Sequence, residues 1–141
     1  MARGLLMSER AKGMHRILVV DDDPAALSCY DRLLRRSGHV VETAPGGEAA
    51  LARLAATAPF DVVILDYRMP AMDGTEFLRR MRCLGHAPEV ILVSAFVTDQ
   101  VRASAARMGV RRILEKPVDV QKLRAAIREA VPVGRVAGSG L

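Results

Sequence analysis

Residues 61–74 read DVVILDYRMPAMDG, and this stretch decides the fold. Residues 62–65 form a continuous apolar run, which is typical of a strand buried on both faces of a parallel sheet. The run stops at Asp66, and a turn segment with Pro70 and Gly74 follows it. Open α/β sheets bind their ligands beyond the carboxyl ends of their strands, so Asp66 is a candidate functional carboxylate. The alternative is that Asp66 only ends the strand or caps the next helix.

Short apolar runs alternate with amphipathic helical patterns along residues 15–131. The runs lie at residues 16–20, 40–41, 62–65, 89–95 and 113–114. This alternation predicts βαβ crossovers and a parallel sheet that is covered on both faces. We therefore expect a flavodoxin-like α/β fold, in which a doubly wound five-stranded parallel sheet of order 2-1-3-4-5 is the middle of three α/β/α layers.

The chain has 141 residues and a formal net charge of +5. The expected single domain, residues 15–131, holds 17 Lys and Arg against 15 Asp and Glu, so most of the excess lies in the ends. We expect residues 1–14 to be a disordered leader and residues 132–141 a flexible tail. The basic residues have no interleaved aromatics and no recognisable reading helix, which argues against direct nucleic-acid binding by this chain.

The sequence contains few features that indicate a cellular compartment. No apolar run approaches the roughly 18 residues of a membrane span, and the basic start lacks the apolar core of a signal peptide. Cys29 and Cys83 fit no metal-ligand or redox spacing. Two free thiols predict a protein of the reducing cytoplasm.

Polar side chains stand at the carboxyl ends of four predicted strands. Asp21 and Asp22 follow the first strand and Asp66 follows the third, whereas Ser94 ends the fourth and Lys116 comes after the fifth. Parallel strands end at one edge of a sheet, so we expect these groups to converge. Each one alone has an ordinary explanation as a helix cap, a buried hydroxyl or a surface charge. Four strand ends with complementary chemistry indicate a site.

Three crowded carboxylates repel one another unless a cation lies among them. Oxygen ligands without His or Cys favour Mg²⁺ over zinc, with Mn²⁺ as an alternative of the same ligand preference. Asp66 is then a candidate nucleophile that forms an acyl phosphate. Lys116 can neutralise charge on a transferring phosphoryl group, and Ser94 can donate a hydrogen bond to it.

Four segments resemble the motifs of response-regulator receiver domains of the CheY-like type, which accept a phosphoryl group from a histidine kinase. They are LVVDDDP at 18–24, LDYRMPAMDG at 65–74, LVSAF at 92–96 and LEKP at 114–117. The resemblance covers nearly the whole of residues 15–131. It implies that Asp66 is the phospho-acceptor, with Ser94 as the switch hydroxyl and Lys116 as the site lysine, and that the Lys116–Pro117 peptide is cis.

The metal ligands follow from the same resemblance. It implies that Asp22, Asp66 and the backbone carbonyl of Arg68 bind Mg²⁺ directly, whereas Asp21 acts largely through water. Arg68 is also placed to pair with the phosphate, or with Asp21 when no phosphate is present. Phe96 lies near the mouth of the site, and we expect it to tune the lifetime of the acyl phosphate together with Arg68.

The resemblance implies a single-domain response regulator in a bacterial two-component phosphorelay, a cytoplasmic phospho-accepting switch and not an enzyme. A sensor histidine kinase or a histidine phosphotransfer protein would be its partner, and the chain would be a monomer or weak dimer. We expect the kinase to dock on the first helix, with Tyr30 and Leu34 near its exposed flank. We expect the face of the fourth helix and fifth strand to switch, although Ile113 replaces the aromatic residue that relatives often carry.

Three other readings compete with this one. A phosphatase of the haloacid-dehalogenase type needs a second Asp two residues after the nucleophile, where this chain has Arg68. It also needs a cap or a larger core than 141 residues comfortably provide. The chain could also be the receiver portion of a DNA-binding regulator, or a receiver-like scaffold that never takes phosphate. The intact acidic set with Ser94 and Lys116 argues against the scaffold.

Overall fold

Strands and helices alternate as the sequence predicts over residues 13–56, 59–69 and 71–131, which the computed structural model describes. In chain order the elements are β1 (Arg16–Val20), α1 (Pro24–Arg36), β2 (Val40–Ala44), α2 (Gly47–Ala56), β3 (Val62–Asp66), α3 (Gly74–Cys83), β4 (Glu89–Ser94), α4 (Asp99–Arg107), β5 (Arg112–Glu115) and α5 (Val120–Ala130). The expected tail and most of the expected leader lie outside the described residues. No helix in the described part is long and apolar enough to cross a membrane.

The five strands form one parallel sheet in the order β2-β1-β3-β4-β5, which confirms the predicted topology. Side chains of a strand alternate between the two faces of a sheet. In β3, Val63 and Leu65 pack into an apolar cluster with residues of α2, α3 and α4, whereas Val62 and Ile64 pack against α1 and α5. The sheet is therefore the middle layer of three, and its strands are apolar on both faces.

Four strands differ in their limits from the apolar runs of the sequence. β2 continues past its run at 40–41 and ends at Ala44, close to the turn residues that predict its end, because it pairs along its whole length with β1. Glu42 interrupts the apolar pattern there, since three of the five side chains of this edge strand are only partly buried. β3 includes Asp66, and β5 extends from Arg112 to Glu115. β4 ends at Ser94, and Ala95 already belongs to the exposed loop that leads to α4.

The prediction that Leu34 lies near the exposed flank of the first helix was wrong. This side chain is fully buried and packs in the apolar cluster beneath α1, and Tyr30 is half-buried against the same cluster. Leu34 lies on the inner face of an amphipathic helix whose outer residues, such as Arg32 and Arg36, are exposed. Leu34 therefore cannot contribute to a docking surface.

A polar cluster joins the amino ends of β1, β2 and β3. His15 and Asp61 are both buried, and the Asp61 carboxylate accepts a hydrogen bond from the Arg16 amide at 2.8 Å. His39 Nδ1 accepts the His15 amide at 3.1 Å, and the two imidazole rings stack with centroids 5.7 Å apart. Burial, with a smaller contribution from His15, lowers the pKa of His39 to about 4. The cluster lies at the sheet edge opposite the acidic residues described next.

Candidate functional site

Asp66 ends β3, the central strand of the sheet, and Asp21 directly follows the neighbouring strand β1. Main-chain pairing continues past both strands, since the Asp21 amide donates to the Ala44 carbonyl at 3.2 Å and the Tyr67 amide donates to the Val93 carbonyl at 2.9 Å. This pairing fixes where the two carboxylates leave the sheet. Asp21 and Asp66 are only 2% and 6% exposed, in contrast to the neighbouring Asp22, which is exposed. The site is therefore a shallow pocket with a buried floor.

The three carboxylates Asp21, Asp22 and Asp66 converge as predicted. Each offers an oxygen within 4.8 Å of those offered by the other two. Asp21 Oδ1 accepts the Asp23 amide at 2.9 Å, and Asp66 Oδ1 accepts the Arg68 amide at 3.2 Å. Burial raises the pKa of Asp21, and the hydrogen bond from Asp23 opposes that shift in part. Three hard oxygen donors, two of them buried, fit a divalent cation such as Mg²⁺.

Lys116 supplies the positive charge of the pocket. Its Nζ lies 3.3 Å from Asp66 Oδ2 and 3.8 Å from Asp21 Oδ2, and about a third of its side chain is exposed. The Lys116 amide donates to the Ser94 carbonyl at 2.8 Å, which extends the pairing of β4 with β5 up to the lysine. The Lys116–Pro117 peptide is cis, as expected. One ammonium therefore contacts two of the three carboxylates.

Ser94 lies at this edge, but its hydroxyl makes its bond inside the following loop. The side chain is buried, and Oγ donates to the Phe96 carbonyl at 3.1 Å. The next amide, that of Val97, donates to Glu115 Oε2 at 3.1 Å. Phe96 itself is 78% exposed, whereas Ile113 is partly buried against the apolar cluster under α2, α3 and α4. The structure therefore places Ser94 beside the acidic residues while its hydroxyl is engaged elsewhere.

The structure adds information on three further residues, Arg68, Tyr30 and Glu115. Arg68 is exposed, and among the described residues its side chain forms no ion pair with Asp21. Burial, followed by the charges of Asp21 and Asp66, raises the pKa of Tyr30 to about 12. The charges of the two carboxylates therefore act on the Tyr30 hydroxyl. Glu115 accepts a hydrogen bond from the Val97 amide. In the sequence only its position next to Lys116 pointed to a role for Glu115.

Residues 17–128 match the family described as the response regulator receiver domain. The chain belongs to this family. As a receiver domain it is a CheY-like two-component signalling switch and not a classical enzyme. The acidic pocket of Asp21, Asp22 and Asp66 is typical of the Mg²⁺ site of receiver domains.

Curated relatives and solved structures agree with this assignment. The transcriptional regulatory protein ZraR of Salmonella typhimurium is 33% identical over 130 residues, which cover 92% of this chain and 29% of ZraR. Response regulator MprA of Mycolicibacterium vanbaalenii is 36% identical over 113 residues, 80% of this chain and 48% of MprA. This receiver domain thus spans less than half the length of these two relatives.

Among solved structures, the Vibrio cholerae chemotaxis protein CheY4 superposes with a TM-score of 0.79 at 28% identity, and the match covers 84% of this chain and 99% of that one. A CheY-like receiver domain protein from Methanospirillum hungatei gives a TM-score of 0.76 at 29% identity, with 82% of this chain and 92% of that one covered. The fold is therefore shared over more than nine-tenths of the length of both of these structures.

Proposed function

We propose that this receiver domain accepts a phosphoryl group on Asp66 from the phosphohistidine of a sensor histidine kinase or a histidine phosphotransfer protein. The observation that carries the proposal is the position of Lys116, whose ammonium lies 3.3 Å from the Asp66 carboxylate at the mouth of a pocket with two further acids. A carboxylate nucleophile next to a fixed cation and a cation-binding acid pair is suited to acyl phosphate formation.

The transfer exchanges one bond to phosphorus for another. An oxygen of Asp66 attacks the phosphorus atom, the bond from phosphorus to the imidazole nitrogen breaks, and the electron pair stays on that nitrogen. Lys116 balances the negative charge that the phosphoryl oxygens carry into the pocket. Asp21, Asp22, Asp66 and the Arg68 carbonyl are the proposed ligands of Mg²⁺, which supplies further charge neutralisation when bound.

We propose that the new phosphate then attracts Ser94 and Lys116. An aspartyl phosphate carries about −2 of charge and strong acceptor oxygens. Ser94 ends β4 and Lys116 follows β5, and the two residues are already joined by a main-chain hydrogen bond of 2.8 Å. Their movement would carry the β4–α4 loop and the face formed by α4 and β5, which is a two-state switch driven by differential contacts.

The wider setting of the switch is also a proposal. The matched relatives ZraR and MprA are more than twice as long as their matched parts, and their printed names describe a transcriptional regulatory protein and a response regulator. We expect this chain to signal through a separate partner, as a monomer or weak dimer, without contacting nucleic acid itself. The exposed free thiols of Cys29 and Cys83 support a cytoplasmic location.

The test is the intact mass of the protein after incubation with acetyl phosphate and Mg²⁺. We expect a gain of one phosphoryl group, about 80 Da for the acyl phosphate, which Asp66→Asn abolishes. Asp99→Asn is the matched control, because it removes an exposed carboxylate in the first turn of α4 that is not one of the three converging acids. A gain that persists in Asp66→Asn, or no gain with acetyl phosphate and several phosphohistidine donors, would contradict the proposal.

A further inference from the structure

The loop between β4 and α4, residues 95–98, is held by polar contacts more than by apolar packing. Ala95 and Phe96 are exposed, and Phe96 keeps 78% of its surface in contact with solvent. Two hydrogen bonds fix the backbone instead: Ser94 Oγ donates to the Phe96 carbonyl, and the Val97 amide donates to the Glu115 carboxylate, each at 3.1 Å. We call these two bonds the loop latch. A segment with so few buried apolar contacts depends on such bonds for its conformation.

From the loop latch we infer that Glu115 is a positioning residue, which holds the β4–α4 loop in the arrangement that keeps Ser94 away from a phosphoryl group. This inference rests on the proposed function, because it concerns the same site and its regulation. Glu115 does not touch the reacting atoms. It acts through the Val97 amide on the loop that contains the acceptor of the Ser94 hydroxyl.

The competition follows from the chemistry of serine. A hydroxyl has one hydrogen to donate, and in this structure Ser94 donates it to the Phe96 carbonyl. Donation to a phosphoryl oxygen on Asp66 therefore requires that the bond to Phe96 break. Breaking that bond costs less when the rest of the loop is free to move, and the bond from Val97 to Glu115 opposes such movement.

Glu115, at the end of β5, and the adjacent Lys116 connect the loop latch to the site. Glu115 pairs with Ser94 across β4 and β5, and it directly precedes Lys116, whose ammonium contacts Asp66 at 3.3 Å. A shift of Lys116 towards a phosphoryl group therefore moves the residue that holds Val97.

The first experiment measures the affinity for beryllium trifluoride, a non-covalent phosphoryl analogue, in saturating Mg²⁺. Glu115→Ala removes the carboxylate, and we expect its dissociation constant to fall by about two- to tenfold, as the loss of one hydrogen bond in the unbound state predicts. Glu115→Gln keeps a side-chain oxygen that can accept the Val97 amide, so we expect it to stay near the wild type. Glu129→Ala, which removes another exposed acid, on α5, is the matched control.

Two readouts separate a positioning role from a merely structural one. In the unbound protein, Glu115→Ala should change the amide shift and speed the hydrogen exchange of Val97, whereas Glu115→Gln should not. Mg²⁺ affinity without the analogue should be the same in all four proteins. Unchanged or weaker analogue binding in Glu115→Ala, with normal binding by the wild type, would overturn the role of Glu115 alone. Failure of the wild type to bind the analogue would overturn the proposed function, and the inference with it.

Discussion

Lys116→Met should strengthen Mg²⁺ binding by the receiver domain. The ammonium makes two contacts in the pocket, at 3.3 Å with Asp66 and 3.8 Å with Asp21, and a cation that binds these carboxylates has to displace it from them. About a third of the lysine side chain is exposed, so each contact is worth about 0.2–1 kcal/mol and not the larger value of a buried pair. Together they amount to about 0.4–2 kcal/mol, which corresponds to an affinity gain of about two- to thirtyfold.

The assay is a Mg²⁺ titration at pH 8 followed by amide chemical shifts of the residues around the pocket. The alkaline pH keeps Asp21 ionised, because burial already raises its pKa and the loss of Lys116 raises it further. Lys122→Met, which removes an exposed lysine of α5, is the control for net charge. An affinity that is unchanged in Lys116→Met, or equally increased in Lys122→Met, would show that the two contacts do not compete with the metal.

Three further predictions concern the framework that supports the site. The pKa of His39 is about 4 in the folded protein against 6.5 when unperturbed, so the unfolded chain takes up the proton first. The free energy of unfolding should therefore fall as the pH drops from about 6.5 to about 4. Urea titrations of His39→Asn should show a smaller fall with pH, and an equal fall would contradict this prediction. Gly47→Ala would place its Cβ 2.5 Å from the Met72 sulfur, so the methionine side chain must shift. We expect a loss of about 1 kcal/mol in the same titrations, the low end for an overpacked site, with Gly46→Ala, which has open space, as the control. Asp73→Ala removes the carboxylate that caps α3 through the Glu76 amide at 2.9 Å, and thermal unfolding should report a loss of about 1 kcal/mol, whereas an unchanged stability would mean that water replaces the cap.

The sequence was sufficient for the sheet and for the residues at its edge. Apolar runs, helix caps and turn residues are local signals. The end of each apolar run shows which residue lies at the carboxyl end of the strand. Asp21, Asp22, Asp66, Ser94 and Lys116 could therefore be assigned to one edge before any contact was known, because parallel pairing leaves no other arrangement. The same reasoning predicted that helices cover both faces, since the strands are apolar throughout.

The errors and omissions involve contacts between residues distant in sequence. Leu34 was placed on a flank because helical spacing alone does not say how far an apolar stripe extends around a helix. The contact of Val97 with Glu115 joins two segments 18 residues apart through a backbone amide, which carries no residue-specific signal. The cluster of His15, His39 and Asp61 was missed for the same reason, because its members lie at the starts of three different strands.

The position of each strand in the sheet gives the two halves of the pocket different local stabilities. Asp21 follows β1 and Asp66 ends β3, and both strands have a paired strand on each side. Lys116 follows β5, a four-residue edge strand whose residues are all partly or fully exposed. Amide protons of β1 and β3 should then exchange only on global unfolding, while those around β5 should exchange through local opening. Asp21 and Asp66 would then keep their positions while Lys116 and β5 shift. The free-energy cost of the switch is therefore that of moving an exposed edge strand and not that of disturbing the inner strands.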